Sequence, residues 1–249
     1  MQYTAQPGTD REDDAAFTPR QGAVLEKALG LLVEGGDRAL TTARIARAAS
    51  CSKETLYKWF GDRDGLLAAV IAYQAGKVRA PAPGEVPDTI KAFQSQLVSF
   101  AHDLLSVLSG DVSLALNRLA IGQASGEDAK LGRLVLDRGR NAIGRRAGQL
   151  LEAGRQRGFI QYADRDEAFR TLYGLIVSDL HVRLLLGDRP NRGKDDYTAQ
   201  ARKSVDQFFA LYGAVGRAPV KNSTACGPAT TAKNRSDRRQ KGKRHKERQ

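Results

Sequence analysis

Two short helical patterns joined by a polar turn, between Thr41 and Phe60, constrain this chain more than any other feature. The segment reads Thr41-Thr42-Ala43-Arg44-Ile45-Ala46-Arg47-Ala48-Ala49, then Ser50-Cys51-Ser52, then Lys53-Glu54-Thr55-Leu56-Tyr57-Lys58-Trp59-Phe60. Thr41 or Thr42 can cap the first helix by accepting a hydrogen bond from a free backbone amide. Ile45, Ala46 and Ala49 fall at helical spacing and give it a thin apolar face. Ser52 is a natural cap for the second helix, in which Leu56 and Phe60, four apart, point inward. Thr55, Lys58 and Trp59 form another face. This is the layout of a helix-turn-helix, whose second helix enters the major groove of DNA. Lysine supplies charge to phosphates, while Thr, Tyr and Trp supply donors and apolar contact to bases or sugars. For Tyr57 and Trp59 the alternative stays open, because aromatics at helical spacing also serve as core.

These residues resemble the DNA-binding domain of the TetR/AcrR family of bacterial transcription regulators. The family pattern is met without a gap at Thr41, Thr42, Ile45, Ala46, Ala49, Ser52, Thr55, Leu56, Tyr57, Phe60 and Leu66. Ser50 stands for a turn glycine, Cys51 for a buried valine, and Glu54 for a small residue. Trp59 stands for Tyr or His, and Arg63 for Lys. A carboxylate at Glu54 either reads a cytosine amino group or tilts the docking. The resemblance and the outward phasing together assign DNA contact to Thr55, Tyr57, Lys58 and Trp59, with Thr42, Arg44, Lys53 and Arg63 on phosphates.

The chain has 249 residues and a formal net charge of +12, unevenly spread. Residues 217–249 hold eleven basic and two acidic side chains, whereas residues 80–216 hold eighteen and sixteen. The body is therefore mildly basic and the tail strongly so. That tail has too few apolar residues to fold and reads as disordered, as does an acidic arm over 1–17. It is either simply solvated or an auxiliary nucleic-acid arm. No apolar run is long enough to span a membrane, and the polar start is not a secretory signal. Two cysteines, Cys51 and Cys226, give no disulfide framework, so a cytoplasmic protein fits best. Cys51 reads as a small buried hydrophobe more than as a redox sensor.

Thr18-Pro19, with Gln21 three residues after Thr18, starts a helix that Gly35-Gly36 stops. A fourth helix follows Arg63 to about Lys77, completing a helix-turn-helix domain over 18–80. Pro81, Pro83, Gly84 and Pro87 mark a boundary. Beyond it every strong pattern is helical: 88–108, 111–123, 127–157 with a possible break near Gly139, 164–186 and 194–215. The fold class is all-α, with a second helical domain over 88–216. Gly158 to Asp164 and Leu185-Leu186-Gly187 resemble the AefR-like subset of C-terminal domains. The resemblance implies that this domain binds a small-molecule effector and forms a homodimer through 164–186 and 194–215. Leu180 and Phe208 there face either a partner or the subunit's own core.

No phosphate loop, dinucleotide fingerprint, Cys-x-x-Cys pair or nucleophile motif is present, so the chain reads as no enzyme and calls for no cofactor or metal. His102 and His181 either line a ligand cavity or are satisfied by their surroundings; His245 lies in the tail. The expected function is a ligand-responsive regulator, most simply a repressor, binding double-stranded DNA at a palindrome. The alternative is a protein that coats nucleic acid non-specifically through its tail.

Overall fold

Thr18 opens the first helix with a reciprocal cap. Its hydroxyl accepts from the Gln21 amide at 3.3 Å, and Gln21 Oε1 accepts from the Thr18 amide at 2.9 Å. With Pro19 at the first helical position this starts α1 (Pro19–Gly35), and Gly36 ends it. A short 3-10 turn (Asp37–Ala39) leads to α2 (Thr42–Ala48), α3 (Lys53–Phe60) and α4 (Arg63–Gly76). The structure is a computed structural model that describes residues 17–80, 85, 87–124, 129–188 and 194–214. The N-terminal arm up to residue 16, most of the Pro81–Pro87 boundary and the basic tail lie outside the described residues.

The rest of the described chain is helical: α5 (Ile90–Ser109), α6 (Asp111–Gln123), α7 (Lys130–Leu134), α8 (Ala142–Gln156), α9 (Arg165–Val177), α10 (Leu180–Leu185) and α11 (Lys194–Tyr212). Two expectations need correction. The helix expected over 127–157 does not break at Gly139; it widens into a π-helical segment, Val135–Asn141, between α7 and α8. The helix expected over 164–186 is two helices. Ser178 adopts φ +48, ending α9, and its amide closes on the Gly174 carbonyl at 2.8 Å. That reversal re-aims the chain so that Leu180 and Leu184 enter the core. Both residues named as dimer candidates, Leu180 and Phe208, belong to the subunit's own core.

Two apolar clusters organise the described residues. One gathers Leu25, Leu29 and Leu32 of α1 with Ile45, Leu56, Phe60 and Val70. The other surrounds α5, whose Phe93, Leu97, Phe100 and Leu104 are fully buried against α8, α9 and α11. The helix α6 serves both, with Leu114 in the second cluster and Leu116 in the first. Hydrogen bonds reinforce these joints. Arg146 of α8 donates to the Ala75 carbonyl at 2.7 Å, holding the end of α4. Arg118 of α6 donates to the Leu184 and Leu185 carbonyls at 2.7 and 3.1 Å, closing the end of α10. Each arginine adds a charged donor to carbonyls at a helix end, two of which, those of Ala75 and Leu184, also accept from a backbone amide just beyond the helix.

The second core needs a gap in α8. A Cβ built on Gly154 falls 2.2 Å from Cζ of Phe93, so the ring lies on the bare backbone. Gly154→Ala should therefore cost about 1–3 kcal/mol, the usual range for overpacking a filled core. Chemical denaturation will check it, and an unchanged midpoint would show that the ring slides aside.

A polar latch ties α8 to the segment before α9. Glu152 accepts from Arg155 at 2.7 and 3.0 Å, from Gln156 at 3.1 Å and from the Tyr162 hydroxyl at 2.9 Å. The Arg155 guanidinium first, and then the Tyr162 hydroxyl, hold the Glu152 carboxyl at about 2. A depressed carboxyl stabilises the fold fully above the ordinary carboxylate range and loses that contribution as pH falls toward 2. Glu152→Gln should thus lose less stability than wild type between about pH 5 and pH 2. The difference should be small, because the side chains are partly exposed and screened.

Candidate DNA-binding surface

The turn between α2 and α3 is set by local hydrogen bonds. Thr41 caps α2 by accepting from the Arg44 amide at 3.3 Å, and Ser52 caps α3 by accepting from the Thr55 amide at 3.1 Å. Ser50 takes the left-handed conformation, φ +50, where the family pattern has glycine. A non-glycine residue there carries a steric cost, which this turn accepts. Cys51 is half-buried, free, and packed against the first cluster, as expected of a small apolar residue. Ile45 and Leu56 are fully buried behind the two helices.

The end of α3 meets α4 at a very close contact. A Cβ on Gly65 would lie 1.9 Å from the carbonyl oxygen of Phe60, so only glycine fits at that position. Asp62 caps α4, accepting from the Gly65 amide at 2.8 Å. That amide is the main cause holding the Asp62 carboxyl below its ordinary value. Lys130 of α7 forms an ion pair with Asp64 in the same turn. These contacts fix the direction of α3 relative to α4.

The expected DNA-contact residues divide into groups. Lys53, Tyr57 and Lys58 are exposed on α3, and Arg44 and Arg63 are exposed nearby in sequence on α2 and α4. Thr42 and Thr55 are half-buried, and the Thr55 hydroxyl is 3.1 Å from that of Ser52. Trp59 is also half-buried. Its ring meets Phe60 edge-on at 6.1 Å, and the Arg20 guanidinium lies 5.6 Å above it. Tyr57 and Trp59, two residues apart, therefore flank the buried Leu56–Phe60 stripe on opposite sides. Arg20 is absent from the sequence assignment. It places an exposed cation beside the second helix, and only its ring contact reveals it.

Glu54 is explained by its surroundings. The carboxyl accepts from its own backbone amide and from the Ser52 hydroxyl, and these hold it below its ordinary value. A negative charge in the first turn also suits the positive end of the helix. Glu54 thus serves the cap of α3.

Behind this surface, α4 forms one wall of a small cavity of about 180 Å³. Ile71, Gln74 and Ala75 of α4 face Leu104 and Leu108 of α5 and His181 of α10 across it. The π-helical segment contributes Val135, Leu136, Gly139 and Arg140. His181 is therefore a cavity residue. His102 is not; it lines an open surface hollow with Arg79 and Asp103. Among the described residues no group of His, Cys, Asp and Glu is placed to hold a metal ion. No single helix among them is long and apolar enough to cross a membrane.

A short helix, a tight polar turn and a second helix with cations outward define a helix-turn-helix DNA-binding protein. Comparison with known proteins narrows the class. Residues 24–70 match the description "bacterial regulatory proteins, tetR family", and residues 95–214 match the AefR-like transcriptional repressor C-terminal domain. The HTH-type transcriptional regulator YdeS of Bacillus subtilis (strain 168) is 32% identical over 170 residues, 68% of this chain and 80% of that protein. A TetR transcriptional regulator of known structure from Agrobacterium tumefaciens is 58% identical, with a TM-score of 0.68 over 80% of this chain and 97% of that one. The flavonoid-responsive regulator FrrA is 25% identical, with a TM-score of 0.57 over 79% of this chain and 98% of that one. The chain belongs to the TetR family of bacterial transcription regulators, a family of DNA-binding proteins and not of enzymes.

Two substitutions separate contact from scaffold. Lys58→Ala leaves the buried side of α3 intact. If Lys58 meets a base, the change should relax one base position by about 1–3 kcal/mol; if it meets phosphate, it should weaken binding evenly across sequences. Gly65→Ala should destabilise the α3–α4 joint and lower DNA affinity without altering which bases are preferred. Unchanged affinity when Tyr57, Lys58 and Trp59 are all alanine, in a folded protein, would remove α3 from the contact surface.

Proposed function

We propose that this regulator is a homodimeric, ligand-responsive repressor that acts in the cytoplasm on a palindromic operator. The observation that carries the reading is the position of α4. Its first turn is locked to the second helix of the helix-turn-helix through Phe60 and Gly65, and its last two turns line the cavity. A molecule in that cavity therefore touches the helix that aims α3. It shifts the regulator only to the extent that it binds one arrangement of α4 better than the other. The match to an AefR-like repressor domain and the flavonoid-responsive FrrA among similar structures support the direction of regulation and the response to a ligand.

The eight residues assigned to DNA fit this reading in graded roles. Tyr57 and Lys58 are placed for bases or phosphates in the groove, and Arg44, Lys53 and Arg63 for phosphates at its edges. Thr42, Thr55 and Trp59 flank them, and Arg20 extends the positive edge.

Dimerisation is proposed on the outer face of α9, α10 and α11. A groove there is lined by Gly174, Ser178, Ala199, Gln200, Lys203 and Gln207, small or polar residues that let a helix of a second copy approach. Val182 on α10 and Leu186 just after it stand 58% and 83% exposed, more apolar surface than an isolated subunit needs. A Cβ on Gly174 meets nothing within 4 Å, so Gly174→Arg should leave the subunit folded and block a partner. Sedimentation should show wild-type dimers and Gly174→Arg monomers, with operator affinity lost in the variant. A monomeric wild type at micromolar concentration would overturn the dimer.

The basic tail is assigned a lesser part. Lysines and arginines that neutralise phosphates release counterions from DNA, adding about 0.9 per engaged phosphate to the slope of log affinity against log salt. Deleting 217–249 should flatten that slope and weaken binding to random DNA while leaving base preference unchanged. If the tail instead carried the whole function as a coat, its deletion would abolish operator binding too.

A further inference from the structure

The cavity beside α4 carries an unusual pair of polar atoms. Gln74 is only 8% exposed, and its amide nitrogen is already used, donating to the Ser113 hydroxyl at 3.3 Å. Its Oε1 is shut off from solvent and has no hydrogen-bond partner. His181 lines the same cavity; its ring donates to the Leu108 carbonyl, and its Nδ1 is likewise buried without a partner. With the proton on Nε2, Nδ1 presents a lone pair. Burial holds the imidazole below its ordinary value, which keeps it in that neutral, accepting form. A buried acceptor left without a donor is destabilising; both of these belong to residues that line the cavity, and a small turn of either side chain offers its acceptor to an occupant that supplies a donor.

Size and walls define the rest of the occupant. The remaining surface is largely aliphatic, from Ile71, Leu104, Leu108, Leu116 and Ile143. A space of about 180 Å³ is enough for one ring, since a dry apolar cavity of about 150 Å³ accepts benzene. At one wall the Arg140 guanidinium lies 5.0 Å above the Tyr173 ring. A cation in that position favours an electron-rich aromatic ring over a saturated one.

We propose that this cavity is a binding site for a single-ring phenol, whose hydroxyl is received by Gln74 Oε1 or His181 Nδ1 while its ring rests on the aliphatic wall. The proposal rests on the ligand-responsive reading and narrows it to a chemical class and two recognising side chains. It makes Gln74, on α4 itself, the point where the ligand meets the helix that carries α3.

Calorimetric titration of the full-length protein with phenol, toluene and cyclohexanol tests it. Toluene keeps the shape without the hydroxyl, and cyclohexanol keeps the hydroxyl without the aromatic ring. Phenol should bind at least tenfold more tightly than toluene, because a site built around a hydroxyl strongly rejects the analogue lacking it. It should also bind more tightly than cyclohexanol. Gln74→Leu, which places hydrocarbon where the unpartnered Oε1 lies, should fold, and together with His181→Phe it should erase the preference for phenol over toluene. Equal binding of phenol and toluene, or binding of neither, would overturn the proposal in the wild-type protein without recourse to any variant. Operator affinity measured on the same samples reports on the broader reading separately. Phenol that fills the cavity and leaves operator affinity unchanged would sustain the site and remove its regulatory role.

Discussion

The whole arrangement depends on the contact between the Phe60 carbonyl and the bare α-carbon of Gly65. There α3 ends and α4 begins, with Asp62 capping the new helix across the same turn. Two helices that meet backbone to backbone cannot slide past one another as helices separated by long side chains can. The direction of the DNA-facing helix is thereby tied to the direction of α4. The α6 and α7 side chains of the first core and Arg146 on the Ala75 carbonyl pack on α4, and on the proposed reading a molecule in the cavity at Gln74 acts on α3 through it. A small contact at one end of α4 is transmitted because packed elements move as bodies and do not deform continuously.

What was legible in the sequence followed from interactions local in the chain. The caps at Thr18, Thr41 and Ser52 use side chains that bond amides three residues on, so their chemistry and spacing appear in the sequence itself. The inward positions Ile45, Leu56 and Phe60 follow from helical spacing. The joint at Gly65 was not legible, because a glycine near a helix start has many ordinary reasons to be there. Only the approach of the Phe60 carbonyl shows that no side chain fits.

Other features were hidden for reasons of packing. The apolar periodicity runs unbroken across Ser178, so nothing in the pattern announces that α9 stops there and α10 sets off in a new direction. The π-helical segment at Val135–Asn141 lies inside a continuous run of helix-forming residues, which does not announce the change to i→i+5 hydrogen bonds. Leu180 and Phe208 sit on helices with two apolar flanks, and only the neighbours, above all α5, decide which flank is core. Trp59 is half core and half surface, and its contact with Arg20 joins residues from different helices. The unpartnered atoms of Gln74 and His181 are likewise a property of the packed interior. A sequence names donors and acceptors but not which of them find each other.

On the proposed reading, this TetR-family chain recognises one dyad-symmetric DNA sequence through paired α3 helices. Selection of bound fragments from a random double-stranded pool by the full-length protein at physiological salt tests it most directly. The expected result is enrichment of a single inverted repeat whose half-sites lie about one helical turn apart, roughly 34–36 Å, or somewhat wider. Recovery of fragments that share no sequence, held in proportion to their length alone, would contradict it.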